Sequence, residues 1–179
     1  SAVALNRVSG PTASRIEGQL TANGQVFLIN PSGVLFGKGA RVHVGGLVAS
    51  TLNIRDDDFL SGNYVFSGNG GSITNEGRIT AAPGGYLAFI SPTIANSGAV
   101  SAPQGTVAMG AGERVRLNFA GDRLVGLDVS AAAIDTLIEN RQAIRAEGGA
   151  ILLTAAGAEA VTRGVINNSG VLEASSLTS

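Results

Sequence analysis

Ile73-Thr74-Asn75-Glu76-Gly77-Arg78-Ile79-Thr80-Ala81 reads ITNEGRITA, and the chain repeats this phrase. The pattern is Ile, any residue, Asn, any residue, Gly, any residue, an aliphatic residue, any residue, Ala. It returns as Ile94-Ala95-Asn96-Ser97-Gly98-Ala99-Val100-Ser101-Ala102, and more loosely from Ile138 through Asn140 to Ala146. The last copy is Ile166-Asn167-Asn168-Ser169-Gly170-Val171-Leu172-Glu173-Ala174. The asparagines are 21, 44 and 28 residues apart (75 to 96, 96 to 140, 140 to 168). That is one unit, two units, and one unit with an insertion.

A Gly-containing turn and an apolar strand follow three of these copies: Gly84-Gly85-Tyr86-Leu87-Ala88-Phe89-Ile90, Gly105-Thr106-Val107-Ala108-Met109 and Gly148-Gly149-Ala150-Ile151-Leu152-Leu153. The earlier chain does the same from Leu20 to Ile29, with a variant from Val42 to Ala49. Short strands of this kind, split by Gly, Asn and Pro, predict an all-β chain. No long segment carries a helical period. A repeat of about 21 residues selects a parallel β-solenoid over a sandwich, because each coil lays its strands on those of the next. Parallel crossovers are right-handed in about 98% of cases. The predicted fold is therefore a right-handed parallel β-helix with extra-helical insertions, one domain over residues 1–179.

The composition agrees with this reading. Gly is 26 of 179 residues while Pro is only 5, and aromatics are 4% with no Trp. Sharp corners explain the glycines, since a corner residue in the left-handed region is cheapest as Gly or Asn. Asn75, Asn96, Asn140 and Asn168 are expected to stack as a turn ladder along the solenoid axis, bonding amide to amide. The alternative is that each is only a tolerant turn former. Two stretches break the period and are expected outside the solenoid, at 50–67 and 113–136. The second contains a hairpin, Val115 to Phe119 and Leu124 to Val129, followed by a helical turn behind Ser130.

Charge and side-chain chemistry limit the functions. The formal net charge is −1 and the basic residues are scattered, which argues against nucleic acid as a partner. There is no Cys, hence no disulfide framework and no thiolate metal site. No apolar run reaches a membrane span, so no stable membrane insertion is expected. His43, the only His, alternates with Val42 and Val44 and is expected to point outward. Asp56-Asp57-Asp58 beside Arg55 is the only acidic cluster. A β-helix enzyme that cleaves polysaccharides would place such carboxylates in a groove, but no acidic position recurs at the coil period. The cluster is expected to be a solvated insertion tip, the protein no enzyme, and no metal or cofactor is expected. Arg114, Arg116 and Arg123 are expected as scattered surface charge, with a site for anionic glycans as the sharper alternative.

One stretch stands apart. Phe27-Leu28-Ile29-Asn30-Pro31-Ser32-Gly33-Val34-Leu35-Phe36-Gly37 puts a rigid corner between two apolar strands. Pro31 fixes φ, Gly33 frees it, and Asn30 can cap the turn. Other coils turn with a Gly pair or Asn-x-Gly, so the solenoid alone does not call for Pro here. With Gln25-Val26 before it and Gly46-Leu47-Val48-Ala49-Ser50-Thr51-Leu52 after it, this stretch resembles the two-partner secretion (TPS) domain of filamentous-haemagglutinin-like exoproteins, also termed the haemagglutination activity domain. The family's usual Asn-Pro-Asn-Gly has Ser32 at its third place here.

The resemblance implies the N-terminal secretion domain of a large exported bacterial adhesin or haemagglutinin. It implies recognition by an outer-membrane transporter with periplasmic POTRA domains, and templating of a passenger β-helix. The passenger would reach the cell surface or medium through the periplasm and could meet a host receptor or glycan. Asn30, Pro31, Ser32 and Gly33 are the implied secretion motif. The family's preceding cap, with its Asn-Pro-Asn-Leu type motif, is not in the sequence, so the chain is expected to lack it. The solenoid is expected to continue past Ala174. A plain adhesin shaft segment that binds glycan or receptor directly remains the alternative.

Overall fold

Each coil of the chain lays down a short strand, turns, and lays down a longer one that bends in the middle. In the computed structural model, residues 2–131, 136–156 and 165–175 are described. The chain enters through β1 (Val3–Arg7). The first coils are β2 (Ser14–Ile16) with β3 (Gln19–Ile29), and β4 (Val34–Phe36) with β5 (Arg41–Ser50). A side excursion follows, of β6 (Asn53–Ile54), α1 (Asp56–Leu60) and β7 (Val65–Ser67). Coiling resumes with β8 (Ser72–Asn75) and β9 (Arg78–Ile90), then β10 (Thr93–Asn96), β11 (Ala99–Ser101) and β12 (Thr106–Ala111). A hairpin of β13 (Arg114–Ala120) and β14 (Arg123–Ala131) leaves the coil. The chain returns as β15 (Leu137–Asn140), β16 (Ile144–Arg145) and β17 (Ala150–Ala155), then β18 (Val165–Asn168) and β19 (Leu172–Glu173).

All stacking between coils is parallel. Among the described residues the short strands order as β18-β15-β10-β8-β4-β2 in one sheet. The long strands form a second sheet in which β3, β5 and β9 bend and slip register, at Ala22/Gln25 in β3 and at Val44/Gly46 in β5. The bend turns one strand into two faces, and in later coils it breaks the strand outright into β11 and β12, then β16 and β17. Three faces of parallel strands around one interior make a parallel β-helix.

The glycines serve both the corner dihedrals and the stacking of coils. Gly45, Gly85, Gly105 and Gly149 follow one another at the bend. A β-carbon on Gly85 would strike the Gly45 carbonyl, one on Gly105 the Gly85 carbonyl, and one on Gly149 the Gly105 carbonyl. None of these four has a positive φ, and neither has any of the stacked asparagines. At these four the demand is for close backbone approach; the corner residues just before three of them, Gly84 (φ +77°), Gln104 (φ +53°) and Gly148 (φ +70°), are left-handed as composition predicts, and only the asparagines depart from that expectation.

Alternation in the long strands sends side chains into two separate cores. Leu28, Leu47, Ala49, Leu87, Phe89, Val107 and Met109 point into the solenoid. Their neighbours Phe27, Ile29, Val48, Tyr86, Ala88, Ile90 and Ala108 point outward and are equally buried. They are covered by the two side elements, which join. Strand β13 pairs antiparallel with β14 and with β7, which pairs with β6. The described parts of both segments, 50–67 and 113–131, thus share one four-stranded sheet, ordered β14-β13-β7-β6, laid against the solenoid. Burial on both faces makes these strands read as apolar runs rather than alternating ones.

The side elements differ from expectation in detail. The helical turn is at α1, where Asp56, Asp57 and Asp58 occupy the first turn, the end at which the helix dipole favours acids. Ser130 is not a cap but part of β14, because Arg114 pairs with Ala131 across a bulge and lengthens the ladder. The rest of the turn expected there, 132–135, lies outside the described residues.

The few aromatics are unevenly spread. Phe36 and Phe89 meet inside the solenoid, edge to face at 6.3 Å. Phe27, Phe59, Tyr64, Phe66, Tyr86 and Phe119 all lie in the outer core. Phe27 touches Phe59 at 5.4 Å and Tyr64 at 5.3 Å, and Phe119 bridges Tyr64 (5.2 Å) to Tyr86 (5.1 Å). Tyr86 donates its hydroxyl to Gln25 Oε1 at 2.7 Å. Burial, then the nearby Tyr64 and Asp122 charges, push its phenol well above the ordinary tyrosine range. Below about pH 10 the folded and unfolded states both keep this proton, so the group adds no pH dependence there. Above it the unfolded chain releases the proton first, and stability falls as pH rises. Melting followed from pH 8 to 11.5 should fall more steeply for the parent than for Tyr86→Phe, by up to about 1.4 kcal/mol for each pH unit above 10.

Candidate functional site

The corner between β3 and β4 is built from Asn30, Pro31, Ser32 and Gly33. Gly33 N–H donates to the Asn30 carbonyl at 3.0 Å and closes a tight turn. Ser32 N–H donates to Asn30 Oδ1 at 2.9 Å, the side chain copying a backbone turn. Gly33 has φ +122°, a conformation side chains avoid, and a β-carbon there would sit 3.3 Å from the Ser72 carbonyl oxygen.

This corner is bonded to the coil on either side. Toward the preceding coil, Asn30 Nδ2 donates to the Thr12 carbonyl (3.0 Å) and to Ser14 Oγ (2.9 Å). Ser32 Oγ donates to the Gly10 carbonyl at 2.9 Å, and Ser14 N–H to the Gly33 carbonyl at 3.0 Å. Toward the following coil, Gly71 N–H donates to the Pro31 carbonyl at 2.7 Å. Asn30 is fully buried and Gly33 is buried, while Pro31 and Ser32 are exposed. The turn therefore presents a rigid outer edge on a buried polar root.

Asn30 heads a polar column that the repeat did not reveal. Register pairs Ile29 with Ser50 and Ser50 with Ile90, so Asn30, Thr51 and Ser91 follow at one position. All three are buried. Thr51 Oγ1 donates to Ser91 Oγ at 2.8 Å, and Ser91 Oγ to the Gly71 carbonyl at 2.8 Å. The signal in the sequence was a polar residue directly after each long strand. Pro92 follows Ser91 as Pro31 follows Asn30, with Leu52 at that place in the coil between them. Proline thus recurs at this corner, and the expectation that other coils turn without it is corrected. What sets the first corner apart is Asn30 in place of Ser91, and Gly33.

At the other end of the short strands run the repeated asparagines. They are in register along β8, β10, β15 and β18. Asn75 Nδ2 donates to Asn96 Oδ1 (2.8 Å), Asn96 Nδ2 to Asn140 Oδ1 (2.8 Å), and Asn140 Nδ2 to Asn168 Oδ1 (2.7 Å). Asn75 Oδ1 also accepts Gly77 N–H at 3.0 Å, which fixes the turn. In the coil that carries Asn30, Phe36 occupies the position opposite Asn75, so the column and the Asn30 corner flank the short-strand sheet without meeting.

The other candidates are dispersed. Asp56 pairs with Arg7 at 2.7 Å, Asp58 accepts Asn63 Nδ2 at 2.7 Å, and Asp57 is exposed. His43 is exposed between buried Val42 and Val44. Among the described residues no three His, Asp or Glu side chains gather to hold a metal ion, and no helix is long and apolar enough to cross a membrane.

These features define a class: a parallel β-helix whose corners are fixed by buried amide and hydroxyl columns. The chain belongs to the TPS secretion domain family, whose profile matches residues 1–179. It is a secretion domain of the kind carried by two-partner secreted exoproteins. It is 31% identical over 169 residues to a heme/hemopexin-binding protein of Haemophilus influenzae strain Rd, covering 88% of this chain and 18% of that protein. A second H. influenzae protein of the same description is 48% identical over 66 residues, 37% of this chain and 7% of its own length. The crystal structure of the HMW1 secretion domain from H. influenzae superimposes with a TM-score of 0.78 at 27% identity, over 96% of this chain and 52% of that one. The chain thus spans under a fifth of the length of these curated relatives.

Asn96→Ala removes the middle of the amide column and orphans Asn75 Nδ2 and Asn140 Oδ1. Buried orphans of this kind cost about 1–3 kcal/mol each, so Tm should fall by about 4–15 °C. Exposed Arg78→Ala should shift it by no more than about 2 °C. Equal shifts in a thermal melt would reduce the column to a row of independent turn formers.

Proposed function

We propose that this domain directs export of a longer exoprotein. An outer-membrane transporter recognises it from the periplasm through POTRA domains. The coils then template the parallel β-helix of the passenger outside, which ends secreted or at the cell surface. The observation that carries the reading is the Asn30 corner. Its exposed Pro31 and Ser32 form a preorganised edge, and its buried root ties three successive coils together. A docking element needs both properties, since binding is strongest when no ordering remains to be done.

Two measurements on one variant separate docking from scaffolding. Asn30→Ala orphans the Ser32 N–H and the Thr12 carbonyl and should cost the isolated domain about 1–3 kcal/mol. At a temperature where the variant is still folded, it should also lose capture by the transporter's periplasmic domains and lose export. A lowered melting point with normal capture and export would leave the corner a scaffold only.

A further inference from the structure

Three arginines open on one cleft in the side sheet. The cleft has a volume of about 330 Å³. Arg114 and Arg116 are two residues apart on β13 and share its outer face, while Val115 between them is buried in the aromatic core. Arg55 comes from the start of the other side element. Register sets Ser67 opposite Arg114, Val65 opposite Arg116, and Asn53 opposite Ser67.

The cleft sets three guanidinium groups against one carboxylate, that of Asp58, which also lines it. Arg7, Arg15, Arg141 and Arg145 each hold a carboxylate. Among the described residues, Arg55, Arg114 and Arg116 hold none within 4.0 Å. Within the cleft Asp58 accepts Asn63 Nδ2 at 2.7 Å, and Asp128, opposite Arg116, accepts Asn118 Nδ2 at 2.6 Å, so neither carboxylate is paired with an arginine of the cleft. Three arginines against one carboxylate leave the hollow net positive, which raises its potential and concentrates anions.

We propose that this cleft binds an anionic saccharide bearing carboxylate or sulfate groups. Guanidinium groups match such oxyanions in paired, planar geometry. The amides of Asn53 and Asn63 and the hydroxyl of Ser67 suit sugar hydroxyls. A lone inorganic anion would leave the amides and the hydroxyl unused. The site is independent of export and lies away from the Asn30 corner.

The test is calorimetric titration of this chain with a heparin-derived tetrasaccharide, beside a neutral N-acetylglucosamine tetramer and sodium sulfate. Saturable, salt-sensitive binding is expected for the heparin fragment alone. The doubly exposed pair Arg114→Ala with Arg116→Ala should weaken it by about tenfold or more, and Arg55→Ala, from a different element, by about as much. Arg41→Ala with Arg78→Ala, on another face, should change it by less than about twofold. Melting curves confirm that every variant is folded. No saturable binding, sulfate binding as tightly as the tetrasaccharide, or equal loss in the Arg41 and Arg78 control would each overturn the proposal.

Discussion

Parallel stacking of one coil on the next governs this molecule. Successive backbones lie about 4.8 Å apart along the axis, so each residue sits on its counterpart in the neighbouring coil. Whatever occupies a position must tolerate a copy of itself at that spacing. Amides do so by bonding head to tail, as Asn75, Asn96, Asn140 and Asn168 do. Hydroxyls do so at Thr51 and Ser91. Where the chain bends into its neighbour only glycine fits, and Gly45, Gly85, Gly105 and Gly149 follow in line. Aliphatic side chains fill the interior because they nest on one another without polar partners.

One face departs from the usual solenoid rule that outward residues are polar. There the strands are covered by the side sheet, and the outward positions become a second core. That core receives the large rings, which a narrow interior accommodates poorly when every coil must repeat. The inner Phe36 and Phe89 illustrate this: they lie in different coils and at different positions, and meet edge to face. The Asn30 corner uses the same economy of position. Its amide serves the turn, the coil before it and the burial of the column at once.

Much of this was legible in the sequence because stacking writes itself as repetition. The copies at Ile73, Ile94, Ile138 and Ile166 gave the coil, its length and the four in-register asparagines. The turn chemistry of Asn30, Pro31 and Gly33 was legible locally, since the two bonds that close the turn run within four residues, while its bonds to Gly10, Thr12, Ser14 and Gly71 were not. Contacts between segments that do not repeat were hidden. Nothing in Val65-Phe66-Ser67 announces that it pairs with Arg114, Val115 and Arg116, because antiparallel pairing leaves no shared phrase. The column through Asn30, Thr51 and Ser91 was also missed. Its members differ in residue type and are linked only by register.

The side sheet also changes how the molecule holds together. A bare solenoid is a one-dimensional stack, in which each coil is stabilised by its immediate neighbours and fraying proceeds from the ends. Here β7, which leaves the chain after β5, is clasped by β13, which leaves after β12. Arg7 of β1 reaches the same excursion at Asp56 and at the Ile54 carbonyl. Coils that do not touch along the axis are therefore coupled through a lateral brace. Opening any one of them strains the brace, so these coils are coupled beyond their nearest neighbours.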